Sequence, residues 1–322
     1  MISVSDFIHL PYTRDLTEGG IAYAVRSLPH SYNREDGSQY DRLRRTVAEA
    51  AVELSFRRYL SQHEIPFDVK GAMPFTDPEH YDVSLGGQRC EIKSFFISHH
   101  EQISQIKHNP QVLLNVPALV ASDQNAAEGH LNSDIYLFAF LSGFVTVSPE
   151  DLQKAIQANQ PNHLIHVMPD SWRRPRKWNP LGMLVLKSDS EQSQRIEIGG
   201  QDAGREMQSL AIEIPPRTRV QIDKGFFSLA YIHTKNMPNA RIGIHSPMRK
   251  ETYIVGESDW GNIWVYGTDI LLTGYLVREE FNRRASFLRE GARVFQYDRT
   301  RTKNLAVSVC DLKPLSELFE RI

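Results

Sequence analysis

The sequence predicts an α/β fold: a mixed sheet flanked by helices, with a β-rich domain inserted into it. Three observations carry this reading. Residues 40–63 contain no Gly or Pro and have helical periodicity, residues 81–98 read as a hairpin turned by Gly86-Gly87, and between Phe144 and Gly261 the chain changes to short strands separated by Pro and Gly turns. The expected division is 1–142 for the first part of the α/β core, 143–262 for the inserted domain, and 263–322 for the return strands and helices. A chain of 322 residues accommodates one large domain or two ordinary ones, and two is the expected number.

Taken in order, residues 1–38 hold Pro11, Gly19, Gly20, Pro29, Asp36 and Gly37 without sustained periodicity and read as irregular approach structure. Along 40–63, Val47, Ala50, Ala51, Leu54 and Arg58 fall on one side of a helix, and 67–69 is short and strand-like. In 81–85, Val83 and Leu85 alternate with Asp82 and Ser84. Gly86-Gly87 supplies the positive φ of a two-residue turn, and 88–98 returns with Cys90, Ile92 and Ser94 on one face and Glu91, Lys93 and Phe95 on the other. Residues 101–122 read as a helix in two pieces, broken at Pro110 and stressed again at Pro117, before the apolar strand 135–140. In the inserted stretch helical pattern is confined to 152–158. The return supplies a strand at 270–275, a helix at 278–290, a strand at 305–309 and a terminal helix at 315–322. If 135–140 and 270–275 are neighbours in one sheet, the β-rich segment is inserted into the core and not appended to it.

Composition narrows the function classes. Hydrophobic residues make up 41% and charged residues 24%, ordinary for a globular protein. Cys90 and Cys310 are the only cysteines and have no CxxC spacing, so neither a disulfide framework nor a four-thiolate cluster is expected. The first ten residues lack the pattern of a signal peptide, and the most apolar stretches, 113–121 and 135–141, fall short of a membrane span, so a cytoplasmic protein without membrane partners is expected. The net charge of −2 provides no global basic field, and any nucleic-acid contact must be local. Basic clusters stand at Arg42, Arg44 and Arg45, at Arg173, Arg174, Arg176 and Lys177, and at Arg299, Arg301 and Lys303; taken singly, each reads first as a solvated face.

The hairpin is where charged residues converge. Alternation puts Glu91 and Lys93 on one face, Asp82 on the adjoining strand can meet them, and the carbonyl of Ile92 lies between the two side chains. Magnesium prefers hard oxygen ligands and keeps several waters, so Asp82, Glu91 and the Ile92 carbonyl suffice to hold one ion. A lysine beside it can orient an attacking water or neutralise a phosphate. The pattern acid-x-Lys occurs at Asp68-Val69-Lys70, Glu91-Ile92-Lys93 and Asp311-Leu312-Lys313; only the copy at Glu91 has an acidic residue on a preceding strand and a tight turn between them.

The run Tyr81-Asp82, then Glu91-Ile92-Lys93-Ser94, preceded by the Glu53-bearing helix and followed by helix and strand, resembles the PD-(D/E)XK nuclease superfamily, which includes restriction endonucleases and many repair nucleases. The likeness covers roughly 40–142, with a return at 263–322, and Tyr81 stands where the name-giving motif has proline. It implies a restriction-endonuclease-like fold, Mg²⁺ as cofactor with Mn²⁺ as a substitute, Asp82 and Glu91 as metal ligands, and Lys93 as a catalytic residue. It also implies a glutamate on the preceding helix completing the site: Glu53 is the candidate, and Glu49 one turn earlier is nearly as well placed. The implied activity is endonucleolytic hydrolysis of nucleic acid, DNA foremost, by a monomer or a homodimer. The alternative is the same fold serving without catalysis as a nucleic-acid-binding or assembly subunit.

Other chemistries fit less well. Gly199-Gly200 with Gly204 is followed by no Gly-Lys-Ser/Thr, His163 and His166 lack the remainder of an HExxH site, and there is no GxSxG elbow. Within the insertion, Trp172, Arg173, Arg174, Arg176, Lys177 and Trp178 combine stacking groups with phosphate-pairing cations and form the candidate nucleic-acid contact; the competing reading makes the tryptophans core anchors and the cations a solvated turn.

Overall fold

Gly86 and Gly87 adopt φ of 54° and 78° and fold residues 83–85 back onto 88–97 in a two-residue hairpin. This is taken from a computed structural model, which describes residues 2–30, 38–69, 82–127, 129–174, 181–237 and 239–322. From the N-terminus the chain runs through β1 (Ile8–Pro11), α1 (Arg14–Ser27), α2 (Gln39–Gln62), β2 (Val83–Leu85), β3 (Gln88–Ile97), α3 (His100–His108), β4 (Pro117–Ala121), α4 (Ser122–Asn125) and β5 (Ile135–Phe144). There follow α5 (Pro149–Gln157), β6 (Leu164–Val167), α6 (Asp170–Arg173), β7 (Gly182–Ser188), β8 (Gln194–Gln201), β9 (Met207–Ile214), β10 (Arg219–Phe226), β11 (Ser228–Thr234), β12 (Ile242–His245), β13 (Tyr253–Val255) and β14 (Gly261–Asn262). The chain ends with β15 (Tyr266–Val277), α7 (Arg278–Arg284), β16 (Ser286–Leu288), β17 (Asn304–Ser308) and α8 (Leu315–Phe319). The protein is mixed α/β, and no described helix is long and apolar enough to cross a membrane.

The chain divides into two compact units, one of residues 1–20, 45–144 and 265–322, the other of 21–44 and 145–264. The first unit is built on a five-stranded mixed sheet in the order β1-β15-β5-β3-β2, where β5 runs parallel to β3 and antiparallel to β15. The sheet is covered on both faces, which is why β5 is an uninterrupted apolar run, buried everywhere but its last residue. One face packs on Ile103 and Ile106 of α3, Phe281 of α7 and the small antiparallel sheet β16-β17-β4. The other packs on Ala48, Ala51, Val52, Phe56 and Leu60 of α2 and Leu315 and Leu318 of α8.

In the second unit, two antiparallel sheets, β10-β7-β12-β13 and β14-β6-β11-β8-β9, share one core. Leu184, Leu186, Ile242 and Ile244 of the first meet Ile196, Ile198, Leu229 and Ile232 of the second.

Several expectations need correction. Residues 1–38 are not irregular throughout: β1 is an edge strand of the main sheet, and α1 carries Gly19 and Gly20 inside it. A Cβ on Gly20 would lie 2.4 Å from the carbonyl oxygen of Val47, so this glycine permits a close helix crossing and breaks nothing. Residues 21–44 belong to the second unit; Tyr40 Oη donates to the Asp259 carbonyl at 2.6 Å and Arg44 Nε to that of Asn262 at 2.8 Å. Along α2 the buried side passes through Val52, Phe56 and Leu60, whereas Leu54 is exposed and Arg58 pairs with Asp15. After the break at Pro110 the second helical piece is a 3-10 helix over Pro110–Asn115, and it stops short of 122 because Pro117 opens the edge strand β4, where a missing N–H costs no ladder bond. Finally, α7 stops at Arg284 and the chain extends into β16 by Ser286.

Candidate active site

The hairpin holds its charged residues in two groups. In the first, Asp82 stands one residue ahead of β2. Its N–H donates to the Cys90 carbonyl at 3.2 Å and its Oδ2 accepts the backbone N–H of Ile92 at 2.6 Å. Glu53, one residue past the core position Val52, lies on the same side of α2 as the hairpin, and Arg57 bonds both the Glu53 carboxylate and the Asp82 carbonyl, the latter at 2.8 Å. Burial, then the negative charge of Asp82, push Glu53 up to about 7 despite Arg57. Glu49 lines a small cavity with Ala48, Ser94 and Phe96, so of the two helix glutamates Glu53 is the one whose charge meets Asp82.

The second group lies on the face of β3 that also bears Phe95, where Glu91 is in register with Tyr136 and Lys93 with Phe138. Lys93 Nζ donates to Glu91 Oε2 at 2.5 Å and to Gln124 Oε1 at 3.4 Å, and sits 5.3 Å from the centroid of the Tyr136 ring. His130 Nδ1 lies 3.1 Å from Glu91 Oε1 and 3.4 Å from Asp134 Oδ2. Asp134, with a side chain only 3% exposed, is gripped by Arg89 through Nε and Nη2, each at 3.0 Å, and accepts from Leu131 N at 2.8 Å. A polar chain Arg89–Asp134–His130–Glu91–Lys93 therefore fixes the carboxylate and the amine. Burial, with Glu91 adding its charge, pushes the Tyr136 phenol up to about 12, and its hydroxyl donates to Asn125 Oδ1 at 3.0 Å. Cys90 is fully buried on the opposite face, its thiol raised by that burial and by Asp82 and Glu91.

Between the groups lies the Ile92 carbonyl. The N–H and C=O of one strand residue point to the same edge, and the Ile92 N–H goes to Asp82, so the carbonyl opens on the Asp82 edge as well.

The donors suit magnesium in kind, being carboxylate and carbonyl oxygens with no exposed thiolate among them. Among the described residues no three His, Cys, Asp or Glu side chains converge as a finished metal-binding set. The reason is visible in the bonds: Asp82 is engaged with Ile92, Glu91 with Lys93 and His130, and Glu53 with Arg57. Thus Glu53 meets Asp82, and Glu91 meets Lys93, while the four do not close into one cluster.

His130, Gln124, Asp134, Arg89 and Arg57 were missed from the sequence, where no spacing motif ties His130 or Asp134 to a hairpin some forty positions earlier. The Arg57 signal was legible in principle, since it lies four residues after Glu53 on the same helix.

The second candidate region needs correction. Trp172 and Arg173 are each only 4% exposed: Trp172 is part of the core of the second unit, with Arg249 over its ring, and Arg173 pairs with Asp170 at 2.7 Å. Arg174 shares the same carboxylate at 2.6 Å. Trp172 is therefore a core anchor and not a stacking platform. Arg176, Lys177, Trp178 and also Tyr81 lie outside the described residues. His163 and His166 form no metal site: His163 stacks on His233 at 3.7 Å, and His166 bonds the Asp259 carbonyl and the Tyr253 hydroxyl.

No protein-family model, curated protein or solved structure matches this chain.

Proposed function

We propose that this chain is a metal-dependent nuclease with a restriction-endonuclease-like core, hydrolysing phosphodiester bonds of nucleic acid, with DNA as the substrate to test first. The observation that carries the reading is the hairpin: Asp82 bonded to Ile92 N–H, the Ile92 carbonyl opening on the same edge, and the Glu91–Lys93 pair on the face beside it. The order helix, hairpin, helix, parallel strand around it supports the fold assignment.

In this reading Asp82, Glu91 and the Ile92 carbonyl hold Mg²⁺ or Mn²⁺, and Glu53 adds its carboxylate beside Asp82. The bound ion supplies stabilisation of charge on the phosphate and a more acidic water. The protein's own part is to place the amine of Lys93 where it donates to an attacking water or a phosphate oxygen, and to hold Glu91 in place through His130. The small exposure of Lys93 and Glu91, about 15% each, keeps the pair in a low-dielectric setting where such contacts act strongly.

The Glu91–Lys93 bond also favours a second reading, because it occupies the carboxylate that a metal needs: the same unit acting in binding or assembly without catalysis. A cleavage assay on plasmid and single-stranded DNA and on RNA separates the two. Nicking that requires Mg²⁺ or Mn²⁺, stops with EDTA and is lost in Glu91→Ala and Lys93→Ala supports the nuclease; binding without nicking under every metal supports the alternative.

A further inference from the structure

Along β7, Leu184, Leu186 and Ser188 turn into the core of the second unit, which sends Met183, Val185 and Lys187 to the outer face. On that face the register aligns one row across four strands: Arg219 opposite Lys187, Lys187 opposite Gly243, and Gly243 opposite Ile254. The row runs through an open groove of about 530 Å³ that also takes in Val185 and His245.

Two features of the groove call for a ligand. Like charges directly opposite each other on neighbouring strands are destabilising, and Arg219 and Lys187 stand so without an ion-pair partner among the described residues. The acid in the groove wall, Asp189, is already taken by Arg241, whose Nε and backbone N–H reach its two oxygens at 2.9 and 2.7 Å. The second feature is the floor. Gly243 keeps the floor low beside Lys187, where a Cβ would already press on Thr252 Cγ2 at 3.3 Å, and the floor is flanked by the apolar Val185 and the exposed Ile254. Cations along one side of an apolar trough match a ligand with an anionic edge and flat apolar faces, the chemistry of a nucleic-acid strand. An acidic peptide has the charge without the faces. In a chain of net charge −2, a concentrated local contact is also the only electrostatic route to a polyanion.

We propose that the outer face of the β10-β7-β12-β13 sheet binds the phosphate backbone of a nucleic-acid strand through Lys187 and Arg219, with the groove floor between Val185 and Ile254 receiving its sugar or base. This goes beyond the cleavage reading and does not depend on it, because the groove and the hairpin belong to different units.

The test is binding of fluorescein-labelled single-stranded and duplex oligonucleotides by the full chain in EDTA, followed by anisotropy across a salt series. Each phosphate contact contributes about 0.7 to the log–log salt slope on a single strand and about 0.9 on a duplex. The Lys187→Ala/Arg219→Ala double variant is therefore expected to flatten the slope by roughly 1.4 or 1.8. Its melting temperature should hold or rise, since two facing like charges are removed from an exposed surface. Gly243→Leu should weaken binding while leaving the slope near that of the unmodified chain. The form on which the flattening reaches its full value, about 1.4 on single strands or about 1.8 on duplex, is the form the groove takes. Absence of binding by the unmodified chain, an unchanged slope in the double variant, or equal competition by polyglutamate would each overturn the proposal. Nicking activity plays no part in these readouts, so failure of the nuclease reading leaves them interpretable.

Discussion

Asp82 Oδ2 accepts the backbone N–H of Ile92 at 2.6 Å, so a side chain stands where the ladder between β2 and β3 would otherwise need a carbonyl. The residue thus has a structural duty besides the proposed metal contact. Removing it has two opposing effects on the metal-free protein: an N–H loses a charged acceptor, worth about 1.5–3 kcal/mol, and Glu53 loses a negative neighbour. Glu53 already has Arg57 as a partner and, pushed up to about 7, relieves the repulsion by taking up a proton, so the lost hydrogen bond dominates. Asp82→Ala should therefore melt below the unmodified chain in EDTA. Asp82→Asn, which keeps an acceptor oxygen and drops the charge, should melt at or above it. Both should lack metal-dependent nicking. Thermal denaturation in EDTA beside a plasmid assay checks the pair, and full nicking by Asp82→Asn would remove this residue from the metal site.

His130 offers a sharper separation of position from chemistry. It bonds Glu91 Oε1 from a loop, and Asp134 behind it keeps Arg89 and the Leu131 N–H when the imidazole is removed. His130→Ala is therefore expected to melt close to the unmodified chain. Loss of the outer partner of a ligating group usually lowers metal affinity by about 10–100-fold. Titration calorimetry with Mn²⁺ measures this directly; unchanged affinity would mean that Glu91 needs no such support.

The legible parts of this protein are those whose signal is local. The alternation of Glu91 and Lys93, the Gly86-Gly87 turn and the Gly-free run of α2 are each read within one continuous stretch of at most 24 residues, and each describes the structure. What escaped depends on partners far along the chain. Gly20 looks like a breaker until Val47 is seen pressed against it, Pro117 looks like a helix stop until β4 is paired with β17, and nothing near Glu91 announces His130. Trp172 illustrates the converse: its basic neighbours suggest a contact surface, and only the packing of the second unit turns the ring inward.

That packing sets the outcome of Trp172→Ala. The ring is 4% exposed, lies 5.9 Å from the ring of Tyr253 and is covered by the Arg249 guanidinium at 5.2 Å. Truncating a buried tryptophan costs about 3–5 kcal/mol through lost burial and the cavity left behind. Calorimetry should show a large drop in melting temperature, while oligonucleotide affinity measured below the transition stays unchanged. An undisturbed melt with weaker single-strand binding would restore the stacking role that its burial argues against.

The stacked pair His163 and His233 gives the fold a defined acid sensitivity. The rings lie 3.7 Å apart and 8° from parallel, and Nε2 of His163 is buried without a hydrogen-bond partner. Burial, and then the neighbouring His233, lower His163 from 6.5 to about 3. His233 is lowered as well, again chiefly by burial. The unfolded chain therefore binds a proton in a range where the folded chain does not. The stability this confers is complete above the unfolded value and is lost as pH falls from about 6.5 toward about 3, at up to about 1.4 kcal/mol per pH unit for each such histidine. His163→Phe keeps a flat ring against His233 and removes the titrating group and its unpaired nitrogen. Urea unfolding of both proteins between about pH 7 and about pH 4 isolates the effect of the pair, because the titrating groups away from His163 and His233 cancel in the difference. The stability advantage of His163→Phe should grow steadily on acidification; parallel stability curves would show that His163 takes up its proton as readily in the folded chain as in the unfolded one.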